Sequence, residues 1–576
     1  MDTTLPAFEA WMHQQGITWD TTRIKLVQDS PTLPKCSGLA LAIVAITDTP
    51  TATHLCTIPK SACITRLTTS ISDILEKEHL SGGLALVIAV MYESISATRS
   101  STTPSPSPWQ GYFTSMPRRE YIPIFWTDEE LAALQGTELD AGRVQEERDA
   151  IREDFQQHVL PLSEAYPDTI PSPSQGWTLD NFMNASSLVS SRAFGIDDDH
   201  GDGMVPLADV FNHKVSAVHG YLGDEYVVAG VEDDSDSDCD GSGSEEEEED
   251  ENNNNESKIP QAYGIKCANG LHLGLEITIN DDSDSGDVLT IRAGSDIRKG
   301  NEIHNTYGEL GNDTLVNKYG FALRQNPFTV VVAGPKKKVI PVIDNAVLQY
   351  GGKEEGETTT RTRKRQKTAQ SSSTVSSSVI KKRKEAVKRV KAMLVAETEL
   401  LDDEEEPFEL LPNGHIGPSL YVYLTAMHLI VVDQEPTSID DVLAHSNSKN
   451  GSTSAMQLWS VVDTNTGLLL PTPTHLVESS ERNASLWLFI AHMVRHLVAW
   501  RRQRYPATAS LQSTLDELRQ VERAIQDEPV GTVLKASLVA ARAALCLRAT
   551  ELELLRALIV AASACIDHHA VAHTVQ

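Results

Sequence analysis

Two runs of opposite charge cannot enter a folded core, and they divide this chain into the pieces that can. Glu232 to Glu251 holds thirteen acidic residues in twenty with almost no apolar side chain, and an Asn run follows it. Such a segment cannot repay the entropy of ordering, which predicts a disordered acidic loop over 232–257. Solvation is its simplest role; an electrostatic lure for a basic substrate is the alternative. The second run is basic: Arg361 to Lys367 reads RTRKRQK and, after a Ser-rich spacer, Lys381 to Lys391 reads KKRKEAVKRVK. These clusters have the form of a bipartite nuclear-import signal within a disordered insertion over 353–392. A nucleic-acid contact is the weaker alternative, because no aromatic side chain is interleaved for stacking.

The remaining sequence is long enough for two or three folding units, at 576 residues and 40% hydrophobic composition. A formal charge of -32 argues against general affinity for nucleic acid or anionic lipid and favours a basic protein partner. The seven cysteines are dispersed without a C-x-x-C pair, which fits a reducing compartment and gives no zinc-cluster signature. His568, His569 and His573 cluster at the tail without a carboxylate-bearing motif, so no metal site is expected. The opening residues are acidic where a secretory signal would be basic, and the most apolar stretches, from Gly82 and from Ser485, are too short or interrupted for a membrane span.

Periodicity supplies a coarse element order. Phe8, Trp11 and Met12 have helical spacing, while LALAIVAI from Leu39 and THLCTIP from Thr53 read as short strands around a turn-rich link. Ile71 to Tyr92 favours helix, though β-branched Val87, Ile88 and Val90 weaken it locally. Ser94 to Pro108 reads as an exposed loop. Thr127 with Glu130 forms a capping box, and Thr514 with Glu517 forms another ahead of an amphipathic helix. Ser537 to Cys565 is a long helix-forming run.

Three stretches hold the polar residues of interest. Ser187 to Lys214 contains SSRAF and MVPLADVFNH; Leu289 to Gly308 ends in IHNTYG; Asn312 to Pro327 contains NKYGF. MVPLADVF is a short apolar segment that closes on Asp209, Asn212 and His213, and Tyr307 and Tyr319 each precede a glycine. Taken singly these are weak. An Asn-His pair is more often structural than ligand-binding, and Tyr-Gly often only closes a strand.

In combination and order, SRAF, MVPLAD-x-x-NH, NTYGELGN and YGF resemble the SET-domain protein-lysine methyltransferases, in the branch of the Rubisco methyltransferases and fungal ribosomal-protein lysine methyltransferases. Upstream, IPKSACIT at Ile58, GGLALVIAVMYE at Gly82 and FWTDEELAALQGT at Phe125 extend the resemblance, which covers Phe8 to Pro327. It implies an α+β chain: a SET-domain β-fold with a pseudoknot over 1–325, carrying a helical insert at about 70–180, then a mostly helical substrate-binding domain over 326–576. It implies S-adenosylmethionine as cofactor, held by Asn212 and His213 with Arg192 and Asp209 beside them, and Tyr307 and Tyr319 as catalytic tyrosines. The family's glycine-x-glycine cofactor loop corresponds to Lys35-Cys36-Ser37-Gly38, where only Gly38 is kept, so contacts there fall to Lys35, Ser37 and Gly38. Cysteine resists the positive φ that glycine permits, which predicts a rearranged loop or weaker binding.

The substrate implied is a protein with an exposed lysine, and the branch points to a basic large-subunit ribosomal protein. No direct nucleic-acid contact, no membrane and a monomer are expected, in the nucleus with a share in the cytoplasm. A catalytically weak or inactive binding module and a histone methyltransferase are the rival readings.

Overall fold

The computed structural model describes residues 4–28, 41–98, 107–213, 275–279, 287–308, 310–324, 326, 328–350, 375–398, 400–411, 416–432, 481–528 and 532–575. They form two compact units. The first comprises Met1–Ala133, Leu139–Leu323 and Leu518–Ala544; the second comprises Leu134–Glu138, Arg324–Glu517 and Leu545–Gln576. The acidic segment 232–257 and the basic cluster 361–367 lie outside the described residues.

The first unit is α+β, built on short strands. In chain order they are β1 (Thr18–Trp19), β2 (Ile24–Gln28), β3 (Leu41–Ala45), β4 (His54–Pro59), β5 (Ala193–Asp197), β6 (Gly201–Met204), β7 (Asn212–His213), β8 (Leu275–Ile279), β9 (Val288–Ala293) and β10 (Glu302–Asn305). One sheet has the order β1-β4-β9-β8, a second β2-β3-β10-β7, and β5 pairs with β6 alone. Most of the pairings are antiparallel. The exception is β10 with β7, which run parallel with His304 opposite Asn212 and Asn305 opposite His213.

Helices fill the interval between β4 and β5, including Gly82–Thr98, Ala141–Asp154 and Leu179–Arg192. Val87, Ile88 and Val90 do not break the first of these, because all three are fully buried. Burial stabilises each by about 1.5–3 kcal/mol, more than the roughly 0.7 kcal/mol of lost propensity. The same helix absorbs the start of the expected loop: Ser94 and Thr98 donate hydroxyl hydrogen bonds back to the carbonyls of Met91 and Ile95 and so stay helical. The capping box at Thr127 and Glu130 forms, with both reciprocal bonds present. The one expected at Thr514 does not. That helix, Leu511–Asp527, starts a turn earlier, where Ser510 and Ser513 cap each other's backbone amides through their hydroxyls.

The second unit is mostly helical and carries one antiparallel pair, β11 (Val331–Pro335) with β12 (Pro407–Leu410). Its basic segment departs from expectation: instead of a disordered insertion reaching 392, the chain is helical over Ser377–Glu397. Lysine, arginine and glutamate are good helix formers, and Ala386, Val387, Val390 and Leu394 fall on one buried face. Each of the larger three contributes about 1.5–3 kcal/mol when it leaves water. The apolar residues were visible in the sequence, but the charge around them dominated the reading.

Arg501 organises the centre of this unit. Its side chain is wholly buried; Nε donates to the Val332 carbonyl at 2.9 Å, Nη1 to the Gly136 carbonyl at 2.8 Å and Nη2 to Glu138 at 2.7 Å. Glu551 accepts the Glu138 backbone amide at 2.8 Å and the Tyr505 hydroxyl, and lies 3.6 Å from Arg501. Burial, then the Glu138 charge, push the Glu551 carboxyl up to about 8, against the pull of Arg501. A carboxyl raised in this way binds its proton more tightly in the folded state. Its contribution is therefore full below the unfolded value of 4.5 and is lost as pH rises through about 8.

Two outcomes follow. Urea unfolding of Glu551→Gln should lose less stability as pH rises from 5 to 8 than that of the parent. Leu394→Ala should cost about 2–5 kcal/mol in the same measurement; a cost near zero would show that the basic helix is not docked.

Candidate active site

The parallel pairing of β7 with β10 brings together residues more than ninety positions apart. The chain enters β7 through a strained turn: Leu207, fully buried, has φ 75° and ψ -41°, a conformation that costs a non-glycine residue about 1–3 kcal/mol. A single 3-10 turn, Ala208–Val210, follows and delivers Asp209, then Asn212 and His213. On the facing strand the chain leaves β10 for Tyr307, and Gly308 at φ 110° turns it away. The helix Asn312–Tyr319 ends on Gly320 at φ 74°, where a Cβ would also meet the Tyr121 carbonyl at 3.1 Å. Both Tyr-Gly pairs are thus turns whose backbone selects glycine.

Four rings meet at this junction. Tyr307 stacks on His213 with centroids 4.9 Å apart and on Tyr319 at 4.6 Å, while Phe321 lies 5.9 Å from His213 and 6.1 Å from Tyr319. The Tyr307 amide donates to Nδ1 of His213 at 2.9 Å. Nδ1 is therefore the acceptor, and the imidazole carries its hydrogen on Nε2. Burial, and next the neighbouring His304, hold the His213 pKa down at about 3, so the ring is neutral at physiological pH. The Tyr307 hydroxyl donates to the Phe211 carbonyl at 3.3 Å. Burial, then Tyr319, push that phenol well above its usual range, so it acts as a hydrogen-bond donor and not as a base.

A buried ion network stands behind the junction. Arg192 directs Nε and Nη2 to Glu120 at 2.8 and 2.6 Å and Nη1 to Asp209 at 3.2 Å. The Tyr112 hydroxyl donates to the same Asp209 oxygen at 3.0 Å. Burial raises the Asp209 carboxyl above its ordinary value even though Arg192 favours the charged form. Asn212 donates its amide to Glu302 at 2.6 Å and to the Leu41 carbonyl at 3.4 Å, tying β7 to its neighbour β10 and, beyond it, to β3.

Arg192, Asp209, Asn212, His213, Tyr307 and Tyr319 thus share one frame; Lys35, Ser37 and Gly38 lie outside the described residues. Sequence reasoning did not find Glu120, Tyr112 or Glu302. Nothing in periodicity marks them, since Glu120 and Tyr112 sit 72 and 97 positions from the groups they bind.

Three buried side chains on the frame keep polar atoms without a hydrogen-bond partner among the described residues: Oδ1 of Asp209, Nε2 of His213, and both amide atoms of Asn305. An unmet buried polar atom costs about 1–3 kcal/mol. An acidic acceptor, an N–H donor and aromatic walls together fit a ligand that has a cationic group, hydrogen-bonding edges and a flat ring.

No family model matches the chain. Among curated proteins, ribosomal lysine N-methyltransferase 3 of Saccharomyces cerevisiae is 27% identical over 344 residues, covering 51% of this chain and 59% of the yeast protein. N-lysine methyltransferase SETD6 of Mus musculus is 28% identical, covering 46% of this chain and 44% of its own length. The chain therefore matches only about half the length of these relatives. Solved structures of the Rubisco large-subunit methyltransferase, one bound to AdoMet and one, of its SET domain, to methyllysine and AdoHcy, align with 98% of this chain and with 93% and 92% of theirs. Their TM-scores are 0.51 and 0.52 at 14% identity, a likeness of fold. The chain shares its fold with the Rubisco large-subunit methyltransferase and, over about half its length, is similar in sequence to lysine N-methyltransferases, a yeast ribosomal one among them.

Proposed function

We propose that this chain transfers a methyl group from S-adenosylmethionine to the ε-amine of a lysine in a non-histone protein, a basic large-subunit ribosomal protein. The observation that carries the reading is the Tyr307 phenol, clamped between His213 and Tyr319 beside buried polar atoms without partners. The similarity to the yeast ribosomal enzyme supports the substrate class, and an acidic chain suits a basic substrate.

When bound, the cofactor supplies an electrophilic methyl carbon on a sulfonium. Asp209, with one oxygen taken by Arg192 and Tyr112, would offer the other to the cofactor's ammonium. His213 would donate Nε2–H, its tautomer being set by the Tyr307 amide. The incoming lysine must be neutral to have a lone pair, and at pH 7 that costs about 4.6 kcal/mol from a free pKa near 10.4. The rings of Tyr307, Tyr319 and Phe321 would strip water from the amine and lower this cost, because desolvation disfavours the ammonium. Tyr307 stays protonated, so its part is to orient and to stabilise, and the released proton goes to solvent.

Finer assignments complete the reading. The parallel crossing of β7 and β10 is read as the family's pseudoknot, residues 1–325 as the catalytic domain and 326–576 as the substrate-binding domain. A location in the nucleus, shared with the cytoplasm, fits the basic cluster at Arg361 to Lys367, and the chain is read as a monomer. No helix among the described residues is long and apolar enough to cross a membrane.

With labelled S-adenosylmethionine and a purified large-subunit protein fraction, the chain should label a lysine, and Tyr307→Phe should lower kcat by about 100-fold or more while the protein stays folded. Unchanged turnover would remove Tyr307 from catalysis; label on a non-ribosomal protein alone would overturn the substrate class. Asp209→Asn should weaken S-adenosylmethionine binding in calorimetry by about 10- to 150-fold, the worth of a hydrogen bond to a charged group. Equal affinity would place Asp209 in the scaffold.

A further inference from the structure

We propose that the helix Ser377–Glu397 is a docking face for the phosphate backbone of double-stranded RNA. The choice of RNA as the source of phosphate rests on the ribosomal reading of the substrate above. The face itself rests on how the helix distributes its charges.

Lys381 to Lys391 holds seven basic residues and one acid. The fold uses two of the seven internally. Arg383 hydrogen-bonds to the carbonyls of Val347, Leu348 and Tyr350, capping the last turn of the helix Lys336–Gln349, and Lys391 pairs with Asp344 at 2.5 Å. The other five, Lys381, Lys382, Lys384, Lys388 and Arg389, are exposed, and none is ion-paired with a described residue. At 100° per residue they occupy the side opposite Ala386, Val387, Val390 and Leu394, which are buried. The five charges therefore form one solvent-facing stripe about 12 Å long, at a rise of 1.5 Å per residue.

This arrangement changes what the run can do. Unwinding this run into an extended peptide would expose its buried face. A rigid row of point charges suits a regular polyanion instead. A nucleic-acid duplex presents phosphates every few ångström along each strand, and lysine meets them as a point charge. The stripe carries no aromatic side chain, which excludes the stacking platform of single-strand binders and leaves the duplex backbone. The net charge of -32 does not forbid such a contact. At physiological salt, charges more than about 8 Å away are largely screened, so the stripe acts locally. The expectation of no nucleic-acid contact rested on the sum of charges and on the missing aromatics; the first does not act locally and the second bears on single strands.

The test uses the full chain and a labelled 20-base-pair RNA duplex, with fluorescence anisotropy at several salt concentrations. The triple variant Lys384→Gln, Lys388→Gln, Arg389→Gln should weaken binding at least tenfold and reduce the slope of log affinity against log salt by about 2 to 3. Replacing the same three positions so that all carry arginine should keep the parent affinity, and both variants should keep the parent melting temperature. The proposal is overturned if the parent does not bind at 50 mM salt, if only neutralising Arg361 to Lys367 abolishes binding, or if poly-glutamate of matched charge competes as well as RNA, which would assign the face to an acidic protein. If the parent binds duplex yet labels no ribosomal protein, the substrate reading falls and the docking face stands.

Discussion

Everything at the candidate site depends on one backbone pairing, the parallel run of two-residue β7 beside β10. Parallel neighbours cannot be joined by a tight turn. The long excursion between them is therefore a condition of the geometry, whatever else it contains. What the pairing achieves is a register: with Asn212 opposite His304 and His213 opposite Asn305, the Tyr307 amide falls within reach of Nδ1 of His213. A shift by one residue would exchange the faces of Asn212 and His213 and separate the stacked rings. Asn212 guards against that shift through its bonds to Glu302 on β10 and to the Leu41 carbonyl on β3.

Each unit also has a buried guanidinium that fixes segments distant in sequence. Arg192 collects Glu120 and Asp209 in the first, and Arg501 collects Glu138, Gly136 and Val332 in the second. Such ion pairs add little net stability over an apolar core, but breaking one leaves an uncompensated charge and costs about 3–5 kcal/mol. Their effect is to make alternative packings expensive. In the second unit two carboxylates face one arginine, and burial raises the carboxyl of Glu551, the more deeply buried of them. In the first, the same two-to-one ratio leaves Asp209 with an oxygen that neither Arg192 nor Tyr112 takes. A buried carboxylate oxygen of this kind suits a cationic group.

The parts of this fold that were legible in the sequence are those set by local chemistry. Thr127 and Glu130 announce a helix start because the capping box closes within four residues, and β3 and β4 were visible as apolar runs around a turn. Tyr307 and Tyr319 were singled out by the family resemblance, and the glycines that follow them take positive φ. Glu120, Tyr112 and Glu302 were not legible, since a carboxylate in an insert carries no mark of an arginine 72 positions away. The cap at Ser510 was missed for a different reason: Thr514 with Glu517 matches the capping pattern better than two serines do, yet the apolar face of that helix fixes its start one turn earlier.

The basic helix shows how counting charges and allocating them lead to different conclusions. As a sequence, Lys381 to Lys391 is a hydrophilic run, and both disorder and an import signal follow from its composition. Four apolar residues at helical spacing are enough to reverse the first inference, because their burial outweighs the repulsion among lysines that remain in water, where each pair interacts by only about 1 kcal/mol at 4 Å. Once the helix is docked, its charges cease to be equivalent. Arg383 becomes a cap for a neighbouring helix and Lys391 a partner of Asp344, so neither can serve a ligand without loosening the unit. The five that remain owe their common direction to the buried face opposite, so the residues that hold the helix in place also set the surface it offers.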